Sequence, residues 1–276
     1  MNFWTKESKS LAYQEGYLDK LLEIYPIRSN PKRLMPKSFW KRVIELFEMK
    51  NAKELIKLFN QGIKKYDLKF PVECYYASSL RNEPFWIDMN PNTVKELGNL
   101  ILNLDIDVIY DRCTAPKKVS RQAGPMFTNW LKKKFGDDRE IIILGASDSE
   151  RKNLAKTLVG YHSDKGLDLL IQINDIIIIG EAKFITDSGG TQANQFKSAL
   201  GITGTFTKNT NVIPLSVVDG HCWRKSTDQF YTAIKNSRDD HIIISALLLE
   251  DLFEKIKQLN LTNTQVLNND ILELIQ

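Results

Sequence analysis

Between Gly166 and Phe184 the chain reads GLDLLIQINDIIIIGEAKF, two apolar runs interrupted by Asn174-Asp175 and carrying their charges at the outer ends. Leu167 to Ile173 and Ile176 to Lys183, joined by that polar turn pair, predict an antiparallel hairpin. The neighbouring segments alternate in the same way. Short apolar runs at Glu140 to Leu144, Val212 to Val218 and Ile242 to Ser245 predict further strands. Between them lie amphipathic stretches: Arg121 to Phe135, a helix carrying Leu154 and Leu158 capped by Ser147 with Glu150, Thr191 to Leu200, Phe230 to Lys235, and a final helical region. This order implies an α/β fold, a mixed central sheet flanked by helices.

The first hundred residues are different, with the periodicity of helices. Leu11, Leu18, Leu22 and Tyr25 share one face; Trp40, Val43, Ile44 and Phe47 share another; Leu55, Leu58, Phe59 and Ile63 repeat the spacing, as do Val94, Leu97 and Ile101. The expected division is therefore an α-rich region over residues 1–115 and a core over residues 116–276.

Hydrophobic residues make up 42% of the 276 and charged ones 26%, the balance of a folded chain long enough for one large core or two small ones. No apolar run approaches the roughly 20 residues of a membrane helix, and the N-terminus lacks a secretory pattern, so the expected location is the cytosol, away from any membrane. Cys74, Cys113 and Cys222 are spaced for neither a disulfide framework nor a metal knuckle. No G-x-x-x-x-G-K loop occurs, which argues against ATP use. The formal net charge is only +4, so local clusters must decide whether the partner is acidic.

A hairpin turning at Asn174-Asp175 brings its far ends together. Asp168 begins one strand, while Glu181 and Lys183 close the other and, two residues apart, share a face. Two carboxylates held close repel unless a hard cation lies between them, and Mg²⁺ accepts carboxylate oxygens in an incomplete protein shell. A neighbouring lysine can orient a water or offset the charge of a pentacovalent phosphorus. Asp168 and Glu181 are thus the expected metal ligands, and Asp168, Glu181 and Lys183 the expected catalytic set.

The pattern Asp168, hairpin, Glu181-Ala182-Lys183 resembles the PD-(D/E)xK superfamily of nucleases, whose largest group is the type II restriction endonucleases. The likeness covers residues 120 to 250. The order Arg121, Gly124, Met126, Glu181 and Ser188-Gly189-Gly190 is loosely similar to restriction enzymes that cut at GATC. The resemblance implies Mg²⁺-dependent hydrolysis of both strands of double-stranded DNA at a short sequence, leaving 5′-phosphate ends, usually by a homodimer. Two features depart from the family: Leu167 stands where the motif has Pro, and the helix over 121–135 holds no acidic ligand, with Glu150 on the next helix a poor substitute. Two other readings keep the same residues: a structure-specific or DNA-repair nuclease of this fold, and a non-catalytic DNA-binding protein with structural carboxylates.

Basic residues without acidic neighbours mark candidate DNA contacts. Residues 29 to 43 hold Lys32, Arg33, Lys37, Lys41 and Arg42; Lys117, Lys118 and Arg121 lead into a helix start; Arg224 and Lys225 follow the strand Val212 to Val218. Lys132 to Lys134 suit the C-terminal end of their helix. Gln195, with Gln192, lies on the helix after Lys183, within reach of a phosphate. Phe39, Trp40, Phe47 and Phe59 are the expected source of a dimer interface.

Overall fold

In the computed structural model, which describes residues 1–116, 122–205, 211–224, 229–238 and 241–259, five strands form one sheet in sequence order. They are β1 (Ile141–Ile143), β2 (Leu169–Ile173), β3 (Ile176–Ile185), β4 (Val212–Gly220) and β5 (Ile242–Ile244). β1–β2 and β2–β3 are antiparallel, β3–β4 and β4–β5 parallel, so the sheet is mixed, as expected. The hairpin turns at the expected pair: Ile173 faces Ile176, and Asn174 takes φ 52°, a left-handed conformation that Asn tolerates better than most residues.

Helices cover both faces. Leu169, Ile171, Ile173, Ile176 and Ile178 share a core with Phe127, Leu131 and Phe135 of a helix over Ala123–Phe135 and with Phe253 of another over Leu249–Lys257. Leu170 and Ile179, whose side chains alternate with these, pack with Ala155 and Val159 of the helix Asp148–Val159. Ser147 caps that helix by accepting from Glu150 N–H, as the sequence predicts, and Asn51 caps Ala52–Tyr66 by accepting from Glu54 N–H. Gly180 interrupts the isoleucines of β3 for a steric reason: a Cβ there would lie 2.5 Å from the Leu215 carbonyl oxygen.

The chain divides differently from the expected boundary. Residues 1–27 belong with 120–276, and residues 28–119 form a separate unit. The first helix, Phe3–Leu11, explains why. Asn2 and Thr5 donate to the carbonyls of His241 and Ile243, at 2.8 and 3.0 Å, and Ser8 accepts from Ser245 N–H at 2.9 Å. Three buried polar residues at successive turns thus satisfy the backbone along β5, the last strand of the sheet. The expected stripe through Leu11, Leu18 and Leu22 does not form. Gly16, at φ 74°, separates this helix from the next, Tyr17–Leu21, leaving Leu18 and Leu22 exposed while Ala12, Tyr17, Leu21 and Ile24 are buried.

The second unit is helical: Lys37–Glu48, Ala52–Tyr66, Tyr75–Asn82, Trp86–Met89, Pro91–Leu102 and Ile106–Thr114. Phe39 and Phe59 are interior here, with Trp40 and Phe47 packed partly against the same core, so these aromatics stabilise the unit instead of offering a free interface. The basic stretch beside them is largely engaged. Lys32 pairs with Asp111 and Arg42 with Glu45, each at 2.8 Å, and Arg33 donates to the Ala115 carbonyl. Among the described residues no helix is long and apolar enough to cross a membrane.

Candidate active site

The open end of the hairpin is where its charges meet. Leu169 faces Gly180, and Asp168 N–H donates to the Gly180 carbonyl at 3.2 Å, carrying the pairing one step further so that Asp168 comes opposite Glu181. Asp168 Oδ2 accepts from Ala182 N–H at 2.9 Å and from Lys183 Nζ at 2.5 Å, and Lys183 Nζ lies 3.4 Å from Glu181 Oε2. The two acids and the lysine therefore converge as the spacing predicts. Burial works against the Lys183 ammonium, but Asp168 and Glu181 beside it outweigh burial and hold its pKa above the usual lysine value, so it is charged at neutral pH.

Residues outside the motif complete the surroundings. Glu181, only 5% exposed, accepts at Oε2 from Ser198 Oγ at 2.9 Å, and Ser198 accepts from Lys165 Nζ at 2.8 Å. Ser198 lies on the helix Gly190–Leu200, which packs on β3. Arg151, 2% exposed, donates from Nε to the Leu167 carbonyl at 2.6 Å, from Nη1 to the Gly145 carbonyl at 3.3 Å, and pairs with Asp148. Leu167 itself is wholly buried. Where the motif has proline, this chain therefore holds the backbone before Asp168 with a buried side chain and an arginine clamp.

The donor set fits a hard divalent cation. Hydrogen bonds to Asp168 fall on Oδ2 and that to Glu181 on Oε2, leaving the second oxygen of each without a protein donor among the described residues. Beside Asp168 Oδ1 lies the start of the helix Ala123–Phe135, where a Cβ on Gly124 would come to 3.6 Å. No group of three or more His, Cys, Asp or Glu able to hold a metal occurs among the described residues, so the pair stands without a third acid. Glu150 accepts from Ala146 N–H near the start of its helix and adds no ligand. An incomplete protein shell of carboxylates is the usual setting for Mg²⁺ and unsuited to a metal requiring a full cage.

The candidate DNA contacts are placed unevenly. Gln195 is half-buried one turn before Ser198 on the same helix, while Gln192 is buried. Arg224 is exposed, with Nη1 donating to the Ala12 carbonyl at 3.2 Å and its guanidinium 4.9 Å from the centre of the Tyr13 ring. Lys117, Lys118, Arg121 and Lys225 lie outside the described residues.

Sequence reasoning missed a second acidic centre. Asp219, in register with Phe184 across β3 and β4, is wholly buried and accepts from Ser245 Oγ at 2.5 Å, Tyr25 OH at 3.1 Å, Ala246 N–H at 3.3 Å and Tyr17 OH at 3.4 Å. Burial pushes its pKa up to about 6 against these donors, and burial followed by the charge of Asp219 raises both tyrosines. Because its folded-state value lies above the unfolded one, this carboxyl favours folding most below about pH 4 and loses that contribution as pH rises through 6, a change of about 3 kcal/mol. Asp219→Asn should accordingly flatten this part of the dependence of Tm on pH. Parallel wild-type and variant profiles between about pH 4 and 7 would contradict the assignment.

Fold and site together define an α/β protein with an acid, acid and lysine cluster at the open end of a hairpin in a mixed sheet. The sequence model of the Tsp45I type II restriction enzyme family matches residues 2–256, and the chain belongs to that family: it is a type II restriction endonuclease. No curated protein and no solved structure matches it.

Proposed function

We propose that this endonuclease is of the PD-(D/E)xK type and hydrolyses both strands of double-stranded DNA at a short sequence, with Mg²⁺ held by Asp168 and Glu181. The observation that carries the reading is the meeting of Asp168 Oδ2, Glu181 Oε2 and Lys183 Nζ within hydrogen-bond or ion-pair distance at one hairpin end. Mg²⁺, when bound, would neutralise phosphate charge and make water a better nucleophile. The chain's own groups do the rest. Asp168 and Glu181 supply the negative oxygens, Ser198 and Ala182 N–H fix how those carboxylates are turned, and Lys183 places a positive charge where a phosphate gains negative charge during attack. The Tsp45I family match favours a site-specific enzyme over a repair nuclease or a non-catalytic DNA-binding protein.

Metal exchange tests the role of the carboxylates. Ca²⁺, with its looser shell, should support specific binding of duplex DNA with little cutting, and Mg²⁺ should support both. Efficient cutting in a chelator, or in Ca²⁺ alone, would remove Asp168 and Glu181 from the metal role.

Lys117, Lys118, Arg121, Gln195, Arg224 and Lys225 are proposed DNA contacts; replacing Lys117, Lys118 and Arg121 together by Ala should weaken binding and, with fewer counterions released, flatten its salt dependence, and an unchanged salt slope would remove these three from the interface. The enzyme is further proposed to act in the cytosol as a homodimer. One such site cuts one strand, and a palindromic duplex presents two scissile phosphates related by a two-fold axis. Light scattering should give twice the 31.8 kDa chain mass, free or on cognate DNA. Concerted double-strand cutting by a species of single mass would overturn the dimer.

A further inference from the structure

At the ends of β3 and β4, just past Lys183, lies a cavity of about 640 Å³ walled by Phe184, Thr186, Gly220 and the N-terminal residues Gln14 and Asp19, with Arg224 at its edge. Its size falls within the roughly 300–1,000 Å³ of small-ligand sites, and its position outside the carboxyl ends of parallel strands is where α/β sheets bind ligands. β3 rises by about 3.3 Å per residue, so Phe184 to Thr186 lie some 3–10 Å beyond Lys183 along the strand. Duplex DNA advances about 3.4 Å per base step, which puts the cavity within about three base steps of a phosphate at the catalytic cluster.

The chemistry of the cavity distinguishes a base edge from a phosphate. Arg224 is exposed yet oriented, held at Nη1 by the Ala12 carbonyl and on its face by Tyr13, so its remaining N–H groups are presented in a fixed direction. Asp19, an exposed carboxylate, lines the same space and would repel a phosphate. A G·C pair in the major groove offers the acceptors O6 and N7, which match arginine, and the N4–H donor, which matches a carboxylate. We propose, resting on the nuclease reading above, that this cavity reads one G·C pair of the recognition sequence within three base steps of the cut, with Arg224 on the guanine and Asp19 on the cytosine. Gln14, whose amide suits adenine, marks the rival reading.

The test is sequencing of cut sites from randomised plasmid DNA in Mg²⁺, with selective binding in Ca²⁺ as a second readout, for the full-length wild type, Arg224→Ala and Arg224→Lys. Thermal melting checks that the variants are folded, and Arg224→Lys keeps the charge while losing the guanidinium fork. The wild type should require G·C at one position within three steps of the cut. Both variants should lose that preference alone and cut the cognate site about 10- to 100-fold more slowly. Replacing that guanine by 7-deazaguanine, which lacks N7, should slow the wild type and leave the variants unchanged. If both variants keep the preference, if all sequences weaken equally, if lysine restores discrimination, or if an A·T requirement at that position depends on Gln14, the inference is overturned while specific wild-type cutting leaves the nuclease reading standing. A wild type that neither cuts DNA nor binds it selectively overturns both.

Discussion

Glu181→Gln, Asp168→Asn and Lys183→Met should each lower DNA cleavage by on the order of 10²–10³-fold or more, while each variant still folds and binds the cognate duplex in Ca²⁺. The amide substitutions keep the shape and remove one negative charge. Asn can still accept from Ala182 N–H and Gln from Ser198 Oγ, so the hairpin end holds together while the charge that would attract a cation falls by half. Lys183→Met removes the ammonium that lies 2.5 Å from Asp168 and 3.4 Å from Glu181, leaving two carboxylates face to face. That variant should melt lower than wild type in a chelator, because Glu181 is buried and loses its counter-charge. Single-turnover cleavage of a cognate oligoduplex reads all three effects. Near-wild-type rates in any one variant would remove that residue from the reaction.

The second large effect belongs to a residue that no motif contains. Arg151→Met keeps much of the buried volume but withdraws the donors from the Leu167 and Gly145 carbonyls. A buried carbonyl left without a partner costs about 1–3 kcal/mol, so the variant should lose about 2–4 kcal/mol of stability in denaturant. Asp148, the remaining partner, has a largely exposed side chain and finds water instead. The clamp acts on the residue immediately before Asp168, so under the proposed metal role of Asp168 cleavage well below the melting temperature should also fall, by roughly 10- to 100-fold. Reduced stability with unchanged cleavage would make the clamp purely structural, and unchanged stability would contradict its description.

What was legible in the chain was what depends on near neighbours. Asn174-Asp175 between two isoleucine-rich runs specifies a turn, and the register then follows, so the meeting of Asp168 with Glu181 could be deduced by counting from the turn. The contacts of Ser198 with Glu181 and of Arg151 with Leu167 depend on how separate helices pack on the sheet, and no local spacing encodes that. The N-terminus misled for a related reason. Its helical pattern placed it with residues 1–115, yet Asn2, Thr5 and Ser8 are buried against the sheet, where they hydrogen-bond the backbone along β5. Asp219 was invisible because a buried carboxylate inside an apolar strand is tolerated only through distant donors, Tyr17, Tyr25 and Ser245, that fold onto it.

The central claim is that Asp168, Glu181 and Lys183 cut duplex DNA at a defined sequence, and plasmid digestion tests it most directly. With Mg²⁺, the purified protein should convert a plasmid of known sequence into discrete fragments whose mapped ends share one short sequence and carry 5′-phosphates, and Glu181→Gln, prepared in parallel, should leave the plasmid intact. No cutting by the wild type, a smear without shared ends, or the same fragments from Glu181→Gln would contradict the account.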